Sequence, residues 1–191
     1  MSGGEHLIRG SLWLRPTGPV LERLQEMIRR LTTRFGGTWP RPHVALLGGI
    51  ELQSEGAEGR LETLAARLQP VTIRLGRLEG RNDPFRCFYA VVESTPELVD
   101  AHRAACEVFG VSQPDVFEPH LSLLYGHIDE PTKTRLAKEL GGRLDLSFVA
   151  GSVHLVNATA AIPATRWHTL HECPLRRAGR QRPPPSRTLN A

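Results

Sequence analysis

The sequence predicts an α+β fold of two related lobes, each an antiparallel sheet with helices on its outer face, enclosing a central cleft. Three observations predict it. Helical and strand-like hydrophobic patterns alternate along the chain, and the turn signals between apolar runs favour hairpins over a doubly wound parallel sheet. The order of elements in the first half recurs in the second. An eight-residue stretch, Pro42-His43-Val44-Ala45-Leu46-Leu47-Gly48-Gly49, also returns 77 residues later as Pro119-His120-Leu121-Ser122-Leu123-Leu124-Tyr125-Gly126.

Taken in order, Ile8 to Leu14 reads as a strand with Ile8, Leu12 and Leu14 on one face and Trp13 on the other. Thr17-Gly18-Pro19 opens a helix in which Val20, Leu21, Leu24, Met27, Ile28 and Leu31 recur at three- and four-residue steps, and Gly36-Gly37 ends it. Val44 to Leu47 is a short apolar strand, with Gly48-Gly49 as a turn. Leu61, Leu64, Ala65 and Leu68 mark a second helix, closed before Pro70. Val71 to Leu78 alternates as a strand does, Asn82-Asp83-Pro84 turns, and Phe85 to Val92 is a second apolar run able to pair with it. Thr95-Pro96-Glu97 places a capping hydroxyl before a proline at the first helical position, and that helix runs to Phe109-Gly110. A strand near Leu121 to Tyr125, a helix from Glu130 to Leu140, and closing strands over 144–156 and 166–171 complete the pattern.

The 191 residues suffice for one domain over 1–175, two lobes sharing one cleft. No run approaches the ~20 apolar residues of a membrane span, and Met1-Ser2-Gly3-Gly4-Glu5-His6 lacks the pattern of a secretory signal. Cys87, Cys106 and Cys173 are an odd number without metal-like spacing, as in a reduced cytoplasmic protein. The net charge of +4 is concentrated at one end, because residues 176–191 hold five arginines, no acid and Pro183-Pro184-Pro185. The remainder has nineteen basic against twenty acidic residues. The basic stretch reads as a disordered or extended tail, and the body has no charge imbalance suggesting a nucleic-acid face.

The repeated stretch carries the chemistry. Side chains two apart on a strand share a face, so His43 lies with Ala45 and His120 with Ser122. Duplicated lobes set the two strands side by side, each contributing one imidazole to the cleft. Two histidines near neutral pKa supply the base and the acid that opening a cyclic phosphate requires. A hydroxyl two residues on can bond the phosphate oxygens where charge builds up. Neither a metal nor another cofactor is called for. His168 and His171, three apart, do not converge on a strand and are not read as metal ligands.

Paired His-x-Ser/Thr-x motifs on a duplicated fold resemble the 2H phosphoesterases, and the surroundings are most similar to their cyclic phosphodiesterase branch. The likeness runs from Leu12 to Leu175. It is carried by Ser11-Leu12-Trp13, Pro42-His43-Val44, Thr95-Pro96-Glu97 and, above all, Pro119-His120-Leu121-Ser122-Leu123-Leu124-Tyr125. The resemblance implies hydrolysis of a nucleoside 2′,3′-cyclic phosphate or ADP-ribose 1″,2″-cyclic phosphate by a monomer. It makes His43 and His120 the catalytic pair, Ser122 and Tyr125 phosphate ligands, and Trp13, Phe85 and Ala45 substrate contacts.

Read without the resemblance, Trp13 and Phe85 are better explained by core packing than by ligand stacking. Tyr125, five residues after His120, faces the cleft only if the strand ends or bulges near Leu124. Ala45 stands where the motif has a hydroxyl, which implies a weakened or retuned enzyme, or a gap filled by a backbone amide or water. Two alternatives stand beside the main reading: a phosphodiesterase acting on RNA ends, of the kind linked to 2′–5′ RNA ligase activity, and a non-catalytic module that binds a phosphorylated ligand.

Overall fold

Two four-stranded antiparallel sheets make up the computed structural model, which describes residues 7–112 and 116–176. The readings of residues 1–6 as leaderless and of 177–191 as an extended tail lie outside the described residues. Arg176 is tied to the fold, its N–H donating to the carbonyl of Leu68 at 3.2 Å.

The N-terminal sheet is built from β1 (Leu7–Leu14), β2 (Val44–Gln53), β7 (Ser152–Val156) and β8 (Thr169–Pro174), in the order β2-β1-β7-β8. The second has the order β5-β4-β3-β6, from β3 (Val71–Glu79), β4 (Phe88–Val92), β5 (His120–Leu124) and β6 (Ser147–Ala150). Each lobe therefore ends in a strand that starts at a histidine, β2 just after His43 and β5 at His120, paired with an inner strand, β1 or β4. The lobes are not simple sequence halves. The chain crosses to the second sheet after α2 (Ala57–Arg67) and returns at Gly151, where the predicted run over 144–156 divides into β6 of one sheet and β7 of the other.

The helices begin and end as their sequences dictate. α1 (Gly18–Phe35) turns Leu24, Ile28 and Leu31 inward and stops at Gly36, whose positive φ lets its N–H reach the carbonyl of Thr32. α3 (Pro96–Phe109) is capped by Thr95, whose hydroxyl accepts from the N–H of Leu98, and α4 (Glu130–Glu139) by Asp129. α1 packs on β5 and α3 on β2, so each long helix backs the other lobe's histidine strand. One buried apolar cluster includes residues from both sheets. Among the described residues no helix is long and apolar enough to cross a membrane.

Three local expectations are corrected. Gly48-Gly49 is not a turn: β2 continues through it as a bulge, with Gly10–Leu12 of β1 opposite Leu47–Ile50 and Gly49 at φ +67°. Phe85 is not on a strand but in the loop before β4, because the Asn82-Asp83-Pro84 turn extends to Arg86. The last strand starts at Thr169, after a single 3₁₀ turn over Ala164–Arg166.

Candidate active site

His43 directly precedes β2 and His120 opens β5. Beside each runs the inner strand of its own lobe, where Trp13 pairs with Ala45 and Tyr89 with Ser122. Trp13 lies flat on His43, ring centroids 3.6 Å apart at 12°, and Tyr89 meets His120 edge-on at 5.2 Å. The duplication extends to a defect. Leu12 and Trp13 span Leu47 to Ala45, and Phe88 and Tyr89 span Leu124 to Ser122, so both β2 and β5 carry an extra residue three places after the histidine, Leu46 and Leu123. A bulge changes which face later residues occupy. This resolves the position of Tyr125: β5 ends at Leu124, and Tyr125 lines the cleft with His120 while bridging to Thr38. Gly37 permits that approach, since a Cβ there would lie 2.1 Å from the Tyr125 carbonyl oxygen.

Both imidazoles are held in the same way. Nδ1–H of His43 donates to the carbonyl of Arg41 at 2.7 Å, and Nδ1–H of His120 to that of Glu118 at 3.0 Å. The intervening Pro42 and Pro119 restrict Arg41 and Glu118 to extended backbone, which fixes those carbonyls. With Nδ1 occupied, Nε2 is the ring nitrogen left for chemistry. Burial pulls the His43 pKa down to about 3, against the bond to Arg41, with the charges of His120 and Arg15 adding to the fall. His120 is lowered by burial too, then by Arg86 and Arg81. The Arg86 guanidinium lies 3.3 Å from its Nδ1, and Arg81 grips the Glu118 carboxylate through two bonds of 2.8 and 2.6 Å.

The two histidines line one cavity of about 180 Å³, and Trp13, Ala45, Phe85, Ser122 and Tyr125 all line it with them. Ala45 presents only a methyl group there. The Ser122 hydroxyl donates to the Phe85 carbonyl at 2.8 Å, so it must turn away from that bond before it can donate to a ligand. Burial raises the Tyr125 phenol pKa, with Ser122 opposing, and keeps it a neutral donor.

Ser11, Thr159 and Trp167 also line the cavity and were not anticipated there. Ser11 accepts from the Trp13 indole N–H at 2.6 Å. Trp167 donates its indole N–H to the Thr159 carbonyl at 3.1 Å and stacks on Phe85 with centroids 5.4 Å apart. The adjoining Ser11-Leu12-Trp13 signature pointed to the first of these; nothing in the spacing pointed to Trp167. Among the described residues no three His, Cys, Asp or Glu side chains are grouped to hold a metal ion.

A cleft between paired antiparallel sheets, with one Nδ1-anchored histidine from each, defines a two-histidine phosphoesterase fold. A family model described as the 2′-5′ RNA ligase superfamily matches residues 15–161, and the chain belongs to that family, the 2H phosphoesterases. It is 28% identical over 137 residues to a protein named cyclic phosphodiesterase from Arabidopsis thaliana, covering 72% of this chain and 75% of that protein. Among solved structures, TT0787 of Thermus thermophilus superposes with a TM-score of 0.62 at 18% identity, covering 90% of this chain and all of that one. E. coli LigT in apo form gives 0.59 at 16%, covering 89% and 98%. LigT has also been solved in complex with 3′-AMP, at a TM-score of 0.57 and 16% identity, covering 89% and 99%.

Proposed function

We propose that the chain hydrolyses a small cyclic phosphate, a nucleoside 2′,3′-cyclic phosphate or ADP-ribose 1″,2″-cyclic phosphate, with His43 and His120 as its acid/base pair and no metal in the chemical step. Family membership and the likeness to a cyclic phosphodiesterase make it a phosphodiester hydrolase. The observation that carries the two-histidine reading is that both imidazoles line one cavity, each with Nδ1 spent on the carbonyl two residues back.

The roles follow from the environments. His43, the more deeply buried of the pair and neutral, takes the proton from water. The water oxygen bonds to phosphorus, and the ester bond to one ribose oxygen breaks with its electron pair left on that oxygen. His120 gives its Nε2 proton to the departing oxygen. One water is consumed, a phosphomonoester and a free hydroxyl form, and the two rings reset by proton exchange with solvent. Each group contributes about 10²–10⁴-fold. Ser122 and Tyr125 donate to the phosphate oxygens, and Trp13 and Phe85 flank the ribose or base.

The anionic substrate raises the pKa of both rings, which stabilises the imidazolium His120 needs. In the free enzyme kcat/KM therefore falls as pH rises through a value under 6.5, the ordinary histidine value from which His120 is lowered. In the complex, kcat persists to higher pH. The test incubates the protein with both substrate types in EDTA. Turnover is expected, with a loss of about 10³-fold or more in His120→Ala; no turnover, or turnover only with metal restored, overturns the proposal.

The family's description supports a second reading, action on RNA ends. The near-neutral body offers few phosphate contacts for a long strand. Comparing a mononucleotide with an oligomer bearing the same cyclic end separates the two. Ala45 supports a third, a phosphate-binding module without turnover, which predicts ligand protection against unfolding that survives His120→Ala.

A further inference from the structure

The two lobes treat their histidines alike as far as the carbonyls that anchor them, and there the duplication breaks. Two places before His43 stands Arg41; two places before His120 stands Glu118. Trp13 and Tyr89 are counterparts on the inner strands, and three places before them stand Gly10 and Arg86. Gly10 admits no side chain, because a Cβ there would lie 2.1 Å from the Val156 carbonyl oxygen. At these positions the first lobe therefore lacks the carboxylate–guanidinium pair that the second sets beside its histidine.

Arg86 is fixed from several sides. Its main chain closes the turn before β4, donating its N–H to the Asp83 carbonyl at 3.0 Å and accepting from the N–H of Arg81 at 2.9 Å. Its guanidinium donates through Nη1 to the Glu118 carboxylate at 3.2 Å and through Nη2 to the Glu118 carbonyl at 3.3 Å. The same Nη2 lies 3.3 Å from Nδ1 of His120, and the guanidinium carbon lies 5.6 Å from the centre of the Tyr89 ring. Arg81 holds the same carboxylate, and buried Lys133 of α4 donates to the Arg81 carbonyl at 2.9 Å. The Arg86 side chain is 21% exposed, against 45% for Glu118, and an ion pair so sheltered is screened less than one in open water. Ring and guanidinium thus share one anchor, the Glu118 carbonyl. With Nδ1–H turned to that carbonyl, the guanidinium meets the ring as a charge, which disfavours the imidazolium and makes it a readier donor. The other charged groups facing His120 are Arg81, which acts with Arg86, Asp83, which opposes them, and His43 across the cleft. Tyr89 of β4 stays neutral, its phenol raised by burial and its hydroxyl donating to Glu79 of β3 at 3.3 Å.

We propose that Arg86 is a positioning residue for the cleavage: its guanidinium, bridged between Glu118 and Nδ1 of His120, fixes that ring as the proton donor and leaves His43, whose lobe has no such pair, as the base. The inference rests on the two-histidine reading above and adds to it the residue that separates the two roles. As the ester bond breaks, the Nε2–H bond of the imidazolium breaks with it and the proton joins the departing ribose oxygen. The neutral ring that remains keeps Nδ1–H on the Glu118 carbonyl, beside a guanidinium that no longer repels it.

The test follows the His120 ring by NMR across pH in the full chain, its resonance assigned by its loss in His120→Gln, together with kcat and KM for a nucleoside 2′,3′-cyclic phosphate. In Arg86→Gln the titration midpoint is expected to move up toward the ordinary value of 6.5, and the falling limb of kcat/KM to follow it to higher pH. kcat is expected to drop about tenfold, with a smaller change in KM. Arg86→Lys restores the charge without the planar fork, so its midpoint should stay near that of the unaltered chain while kcat stays reduced. A packing role alone would move neither the midpoint nor the limb. An unmoved midpoint or an undiminished kcat in Arg86→Gln overturns the proposal, as does an undiminished kcat in Arg86→Lys where the glutamine variant is unfolded. Turnover with an unmoved midpoint removes the Arg86 assignment alone. A moved midpoint in a chain that turns nothing over supports the hold on His120 and removes the hydrolytic reading, and an unmoved one there removes both.

Discussion

A histidine placed for chemistry costs the fold something, and His43 shows how much. Its folded pKa is about 3, against 6.5 for a free imidazole. Below pH 6.5 the unfolded chain gains a proton that the folded chain refuses, so stability is fully present above that value and is lost as pH falls toward 3. At pH 5 the loss from His43 is about 2 kcal/mol. His120 and His154 are lowered in the same direction and add to it. Thermal unfolding at pH 7 and pH 5 should therefore show a smaller drop for His43→Gln than for the unaltered chain; equal drops would show that His43 is not the group responsible. Ala45 poses the complementary question, since its methyl lines the cavity where the family motif supplies a hydroxyl. A hydrogen bond to a charged oxygen is worth about 1.5–3 kcal/mol, or roughly 10–150-fold in rate. Ala45→Thr is expected to raise kcat/KM for a 2′,3′-cyclic nucleotide by about tenfold, while unchanged or lower kcat/KM would mark a pocket retuned around the smaller side chain.

At the scale of the strand, the paired bulges at Leu46 and Leu123 set where the residues after each histidine point. The bulge in β2 is pinned from outside. His102 of α3 donates Nδ1–H to the Leu46 carbonyl at 2.7 Å, and its ring is stacked on Phe117 at 4.0 Å. His102→Leu leaves a buried carbonyl unsatisfied, at about 1–3 kcal/mol. Its expected effect is a lower Tm with a larger fall in kcat than in ligand affinity, because the bulge aligns the strand that follows His43; a fall in Tm with unaltered kcat would assign His102 to stability alone. None of this was legible in the sequence, where Leu46-Leu47 and Leu123-Leu124 are consecutive apolar residues that a period of two cannot place on one face. The histidines were legible, because the repeat included the prolines that anchor them. Tyr125 was legible only as a condition, met once the strand ended at Leu124. Phe85 lines the cavity from a loop and not from the strand its apolar run suggests, since its turn carries no mark of length. Trp167 sits in irregular chain after a 3₁₀ turn, where no periodicity exists to read.

For the molecule as a whole, the repeat predicted two lobes but not how the chain interleaves them. A one-residue break at Gly151 looks, in sequence, like a continuous strand, yet it returns the chain to the first sheet and lets β7 and β8 complete it. The crossing of the helices binds the lobes further, with α1 under β5 and α3 under β2. Two histidines on separate lobes stay in one cavity only if the lobes cannot move apart, and this arrangement supplies that constraint. It also predicts how the protein unfolds. Leu98, on α3, is fully buried in the cluster that includes both sheets, and Leu98→Ala should cost about 2–5 kcal/mol. If the lobes are one cooperative unit, that loss lowers a single calorimetric transition whose van't Hoff and calorimetric enthalpies agree. Two separating transitions, only one of them shifted, would mean that the lobes fold independently and that packing between them does not hold the imidazoles together.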